Sequence, residues 1–361
     1  MTIPGLLISA LRGETVDASG VDPEEFLVAC REHRAGGFVL DHLTDGPEGL
    51  REALEADAAA AMTDHLRALV DLTAVLDALD TSGIPSLALK GPVLVEAAYG
   101  DPRLRPYRDL DLLVDPGDLG RALECIEAAG GSLIDRNWDF LTRQRRGQLH
   151  LGLPFGCVLD LHWLPLDVAS GALEVDSATL FGGLVPLEVG GVEILTTSPA
   201  HTVVHLALHA AMEGGCRLIW LKDLERVVAT SDVDWDEVVR TAQAWKGTAA
   251  VSLMLGRAAR LLDARIPAEV LNELRPPRVR ALADRAAVRH LTSHRKNGKV
   301  FQLVTRTAGA SAFDSAQLSV EAAKRSFRRT PSRDLLTAES PDVGRDDYLE
   351  MAAVHASRTT G

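Results

Sequence analysis

In Arg105-Pro106-Tyr107-Arg108-Asp109-Leu110-Asp111-Leu112-Leu113-Val114, polar and apolar residues alternate strictly from Asp109 and then close in an apolar run. This pattern predicts a strand over 109–114. Residues two apart on a strand face the same side. Asp109 and Asp111 therefore project together, while Leu110 and Leu112 face a core. Two neighbouring carboxylates on a half-buried sheet repel each other and are costly to desolvate. A hard divalent cation removes that cost. Magnesium takes oxygen ligands and is commonly held by one or two carboxylates plus substrate phosphates. An isolated Asp-x-Asp in an acidic chain is usually a solvated turn, so the reading needs support from elsewhere in the sequence.

Two other stretches supply it. Upstream, 84–89 reads as a short strand that meets a turn at Lys90-Gly91-Pro92, with a helix expected over 92–98. A glycine there lets the backbone approach a phosphate, a helix start directs N–H groups at an anion, and Lys90 adds a point charge. An ordinary strand-to-helix turn has the same letters. Downstream, Cys157-Val158-Leu159-Asp160-Leu161-His162-Trp163 alternates as a strand, with Asp160 and His162 on one face. A carboxylate inside an apolar strand needs a partner, and a cation held by Asp109 and Asp111 would be one. His162 either orients Asp160, donates to a substrate, or is a satisfied half-buried histidine. Trp163 reads as core.

Further out, Asp22 and Pro23 mark a helix start, and an Ala- and Leu-rich helix is expected from about 47 to 79. A helix is expected over 116–129. Residues 148–153 and 157–163 form a candidate hairpin around Pro154-Phe155-Gly156, and 185–189 with 192–195 form a second. Helical periodicity returns with a helix that starts at Ser198-Pro199 and carries His201, His205 and His209 every four residues. Further helical patterns cover roughly 217–230, 234–246, 248–264 and 277–291. No carboxylate stands where an HExxH site needs one, which favours packing or pocket lining over zinc. The predicted class is α+β: a small mixed sheet flanked by helices, with N-terminal helices (1–80), a sheet-bearing core (81–197), a C-terminal helical domain (198–307) and a loosely ordered or partly helical tail (308–361).

Composition narrows the function classes. The 361 residues are 46% hydrophobic and 25% charged, enough apolar content for a buried core. The 38 Lys and Arg against 51 Asp and Glu give a net charge of −13. That balance opposes broad binding to duplex nucleic acid. Arg143–Arg146 and Lys324–Arg329 are the clearest basic runs; the second reads as a solvated tail face, with weak anion or RNA contact as the alternative. The four cysteines are widely spaced, which suggests neither a zinc site nor a disulfide framework. The first residues lack a basic n-region, no run is long enough for a membrane span, and the expected compartment is the cytoplasm.

The ordered set Leu89-Lys90-Gly91, Tyr99-Gly100-Asp101-Pro102, Arg105, Asp109-Leu110-Asp111-Leu112-Leu113-Val114 and Leu159-Asp160-Leu161-His162-Trp163 resembles the DNA-polymerase-β-like nucleotidyltransferase superfamily. More closely it resembles the group known as uncharacterised nucleotidyltransferases. A weaker likeness continues through His205, His209 and Leu218–Asp223. The resemblance implies transfer of a nucleoside monophosphate from an NTP, with ATP the expected nucleotide, to a hydroxyl of a small molecule or a peptide or protein, releasing pyrophosphate. It implies two magnesium ions held by Asp109, Asp111 and Asp160, with Asp160 also the base. Lys90 and Gly91 would serve the triphosphate. Arg105 would either join them or pair with Asp101 or Asp109. Arg108 would either contact substrate or cover the site mouth. A catalytically degenerate nucleotide-binding protein and a phosphotransferase on the same core are the rival readings.

Overall fold

The computed structural model describes residues 2–166, 173–275 and 344–359. In chain order its elements are α1 (Ile3–Leu11), β1 (Val16–Asp17), α2 (Pro23–His33), α3 (Gly36–His42), β2 (Leu43–Asp45), α4 (Leu50–Thr81), β3 (Ser86–Leu89), α5 (Gly91–Leu94), β4 (Asp109–Val114), α6 (Leu119–Ala128), β5 (Ser132–Leu133), α7 (Trp138–Gln144), β6 (Gln148–Gly152), β7 (Val158–His162), α8 (Ser177–Phe181), β8 (Leu184–Val189), β9 (Val192–Thr197), α9 (Pro199–Met212), α10 (Leu218–Thr230), α11 (Trp235–Ala244), α12 (Thr248–Leu262), α13 (Ala268–Glu273) and α14 (Arg345–Thr359). The class is α+β, as the sequence predicts. The helix expected over 277–291 and the Lys324–Arg329 cluster lie outside the described residues.

The described residues divide into two compact units built from separated segments. One contains residues up to Thr63, Leu94–Pro106 and the described chain from Pro199 to 275. The other contains Asp64–Val93, Tyr107–Ser198 and 344–359.

The first unit is mostly helical. Asp22 caps α2 by accepting from the Glu25 N–H, with Pro23 in the first turn, because a proline there gives up an N–H that would have no helical partner. The π-helical turn Val95–Tyr99 follows α5 and ends at Gly100, whose φ of 71° suits glycine. The helix expected over 92–98 is thus four α-helical residues followed by this wider turn. Tyr99 and the loop after it are tied to α10. The Tyr99 hydroxyl donates to Asp223 Oδ1 (2.7 Å), and Arg105 grips both Asp223 oxygens (3.1 and 3.0 Å). Asp223 is 0% exposed. Burial, then the Asp223 charge, pushes the Tyr99 phenol well up, so it stays a donor.

The second unit carries a five-stranded mixed sheet in the order β3-β4-β7-β6-β5. β3 and β4 are antiparallel, β4 and β7 parallel, and β7-β6-β5 antiparallel. Leu110, Leu112, Leu149, Leu151, Leu159 and Leu161 are all buried. They alternate with the polar residues, which therefore share the opposite face. Buried Asp71 of α4 accepts from the Phe155 and Cys157 N–H groups (3.0 and 3.1 Å), which fixes the β6–β7 hairpin loop. The β8–β9 hairpin is tied to β3 by Thr196 Oγ1 donating to the Ala88 carbonyl (2.9 Å). In α14, Tyr348 is fully buried; its hydroxyl donates to the Arg146 carbonyl (2.7 Å) and accepts from Trp163 Nε1 (2.9 Å). The C-terminal tail is therefore helical where it is described. No helix among the described residues is long and apolar enough to cross a membrane.

Candidate active site

The parallel register of β4 and β7 sets Asp111 directly beside Asp160. Asp109 lies two residues earlier on the same face of β4, and His162 two residues later on that of β7. His65 Nδ1 lies 2.9 Å from the Tyr107 hydroxyl, which anchors the chain just before Asp109. At the end of β3, Lys90 (φ 45°) and Gly91 (φ 38°) form a left-handed turn. Such a conformation is strained for a lysine and is kept only where its surroundings enforce it. Its side chain forms an ion pair: Lys90 Nζ lies 2.7 Å from Asp111 Oδ1.

Asp111 is the best-compensated of the three carboxylates. His162 Nε2 is 3.1 Å from the same Oδ1. Burial pushes the Asp111 carboxyl up, but the Lys90 charge and the His162 hydrogen bond outweigh it and hold it well below the ordinary range. His162 thus orients Asp111, not Asp160, because the ring lies toward β4. Its buried Nδ1 has no hydrogen-bond partner.

Asp160 has the opposite surroundings. Burial, then the neighbouring Asp111 charge, pushes its carboxyl up to about 6. Across β7 from Asp111, β6 sets His150 beside Asp160. Asp135 accepts from both the backbone N–H and Nδ1 of His150 (2.9 and 2.6 Å). Gln148, His150 and Asp135 were not among the expected site residues. The alternation of Gln148-Leu149-His150-Leu151 is the signal that places two of them on Asp160's face.

Among the described residues, the group able to hold a metal is Asp111, Asp160 and His162, whose donor atoms lie within 4.8 Å of one another. Asp109 is half-buried at the first position of its strand and is not in that group. The donors suit a hard divalent cation: two carboxylates are adjacent, and burial and the Asp111 charge push the Asp160 carboxyl up. Arg108 is exposed. Arg105, expected at the triphosphate or on Asp101 or Asp109, has its guanidinium bound to Asp223. Asp101 pairs with Arg103 instead. The α9 histidine stripe is not a metal group among the described residues. His201 Nε2 lies 3.1 Å from Glu237 of α11, a carboxylate that sequence spacing along α9 could not reveal.

The contrast between Asp111 and Asp160 sets a pH-dependent expectation. The raised carboxyl of Asp160 favours the folded state fully below its unfolded value of about 3.8, and that contribution is lost as pH rises through about 6. Asp160→Asn is therefore expected to raise the metal-free melting temperature by a few degrees at pH 7.5 and to leave it unchanged near pH 4. Lys90→Ala is expected to lower it, because buried Asp111 loses its cation. Thermal melts at both pH values check this; an Asp160→Asn loss of equal size at both would contradict it.

A model of the family described as uncharacterised nucleotidyltransferase matches residues 19–263. No curated protein matches the chain.

Proposed function

We propose that this chain, which belongs to the uncharacterised nucleotidyltransferase family, transfers a nucleoside monophosphate from an NTP to a hydroxyl acceptor in a magnesium-dependent reaction. The observation that carries the proposal is the pairing of Asp111 with Asp160 on adjacent parallel strands, with Asp109 on the same face and the Lys90-Gly91 turn alongside. Asp111 and Asp160 would hold magnesium, with Asp109 completing the set. Magnesium bound there would neutralise phosphate oxygens and favour ionisation of the attacking hydroxyl.

The chain's own residues divide the remaining work. Lys90 places a positive charge on the triphosphate, and Gly91 leaves the backbone clear beside it. His162 fixes the Asp111 carboxylate. Asp160 accepts the acceptor's proton at a carboxylate oxygen as the acceptor oxygen bonds to the α-phosphorus. The bond from the α-phosphorus to the β-phosphate oxygen breaks, and pyrophosphate leaves. Exposed Arg108 stands next to Asp109 and is available to an acidic group of the substrate.

Protection from heat unfolding tests the reading. An NTP with Mg²⁺ is expected to raise the melting temperature, and the same NTP with EDTA is not. Absence of Mg²⁺-dependent protection by each of the four NTPs would sink it. Lys90→Ala is expected to weaken Mg²⁺–NTP binding by about tenfold or more while leaving binding of the phosphate-free nucleoside nearly unchanged. Equal loss for both ligands would point to damage at the turn.

A further inference from the structure

We propose that Gln148, His150 and Asp135 are positioning residues that fix the Asp160 carboxylate for metal binding and transfer. This rests on the functional reading above. β7 lies between β4 and β6, so Asp160 has Asp111 on one side and His150 on the other. Left alone, its carboxylate would rotate away from Asp111 to relieve like-charge repulsion. Gln148 on β6 opposes that: its Nε2 lies 3.3 Å from Asp160 Oδ2. His150 Nε2, 3.5 Å from Oδ1, accepts from the same amide and so acts on the carboxylate through Gln148.

Both groups are themselves held. Gln148 Nε2 is 3.0 Å from His150 Nε2, so one amide donates to the carboxylate and to the ring. The ring accepts at Nε2 when its proton sits on Nδ1. Nδ1 is where Asp135 binds it, at 2.6 Å. The same Asp135 oxygen accepts the His150 backbone N–H (2.9 Å), which locks the ring relative to its own strand. Asp135 is 1% exposed, and its other oxygen is buried without a hydrogen-bond partner. A buried carboxylate with one unsatisfied oxygen is a costly way to hold one residue of β6. As the outer support of a ligand carboxylate it has a use: such partners set ligand orientation, and their loss costs about 10–100-fold in metal affinity or activity.

Mn²⁺ titration of the full chain, read by electron paramagnetic resonance without nucleotide, tests this. Asp160→Asn sets the scale of the loss. His150→Ala, Gln148→Ala and Asp135→Ala are each expected to weaken Mn²⁺ binding about tenfold. Asp135→Asn keeps an acceptor oxygen for His150 and is expected to recover most of the affinity. Half-buried Gln148 serves if the His150 or Asp135 variants do not fold. A merely structural row would shift melting temperatures and leave the Mn²⁺ affinity of the folded protein untouched. Unchanged affinity in folded Gln148→Ala, with wild-type binding intact, overturns the inference and spares the functional reading. Failure of the wild type to bind Mn²⁺ overturns both.

Discussion

Asp160→Asn is expected to bind Mg²⁺–NTP within a few-fold of the wild type and to lose transfer by about 10²–10⁴-fold. The two halves of this result have separate causes. Lys90, Asp109 and Asp111 remain to receive the triphosphate and its metal, and Asn is nearly isosteric with Asp. What disappears is the proton acceptor and the second of the paired negative charges. The fold is not at risk, since the Asp160 carboxyl is the destabilised member of the pair: burial and Asp111 push it up to about 6. A variant that melts at or above the wild-type temperature and does not turn over would separate chemistry from stability. A stable variant with near-normal pyrophosphate release would leave the base unassigned.

Asp223→Ala carries the largest expected effect on stability. It removes both hydrogen bonds that the buried Arg105 guanidinium makes to Asp223 and the acceptor of the Tyr99 hydroxyl. Breaking a buried pair on one side costs about 3–5 kcal/mol, a fall in melting temperature on the order of 10 °C. Arg105→Met combined with Asp223→Leu is expected to regain much of that loss, because replacing both charged partners removes the cost of keeping them out of water. Asp223→Ala melting within about 1 °C of the wild type would show that the pair is not holding the loop. Arg105 and Asp223 belong to the same unit, so the pair ties the Leu94–Pro106 segment to α10.

Much of this was legible in the sequence, for local reasons. Alternation at its start followed by an apolar run placed β4 at 109–114, and alternation around Asp160 placed β7, because a strand with one buried face writes its period into the residues. The Asp22-Pro23 start of α2 was readable because capping is local. Partners between distant segments were not. Arg105 and Asp223 are 118 residues apart, and neither helix nor strand periodicity couples them. The beginning of β6 at Gln148 was expected, but that His150 would stand beside Asp160 depended on the β6–β7 register. Tyr348 lay in a stretch of weak periodicity, and its burial against Trp163 comes from tertiary packing. His162 was placed on the correct face, yet its bond to Asp111 in preference to Asp160 followed from ring orientation, which no spacing encodes.

The most direct measurement follows the label from two forms of ATP. The full chain is incubated with Mg²⁺ and a pool of cellular small molecules and peptides, once with ATP labelled at the α-phosphorus and once at the γ-phosphorus. Labelled products are then separated and weighed by mass spectrometry. The expected result is α-label in an acceptor carrying an added nucleoside monophosphate, γ-label only in pyrophosphate, and neither when Asp160→Asn replaces the wild type. Acceptor labelled from the γ-phosphorus alone, or labelled equally by Asp160→Asn, would contradict nucleotidyl transfer at the Asp111–Asp160 site.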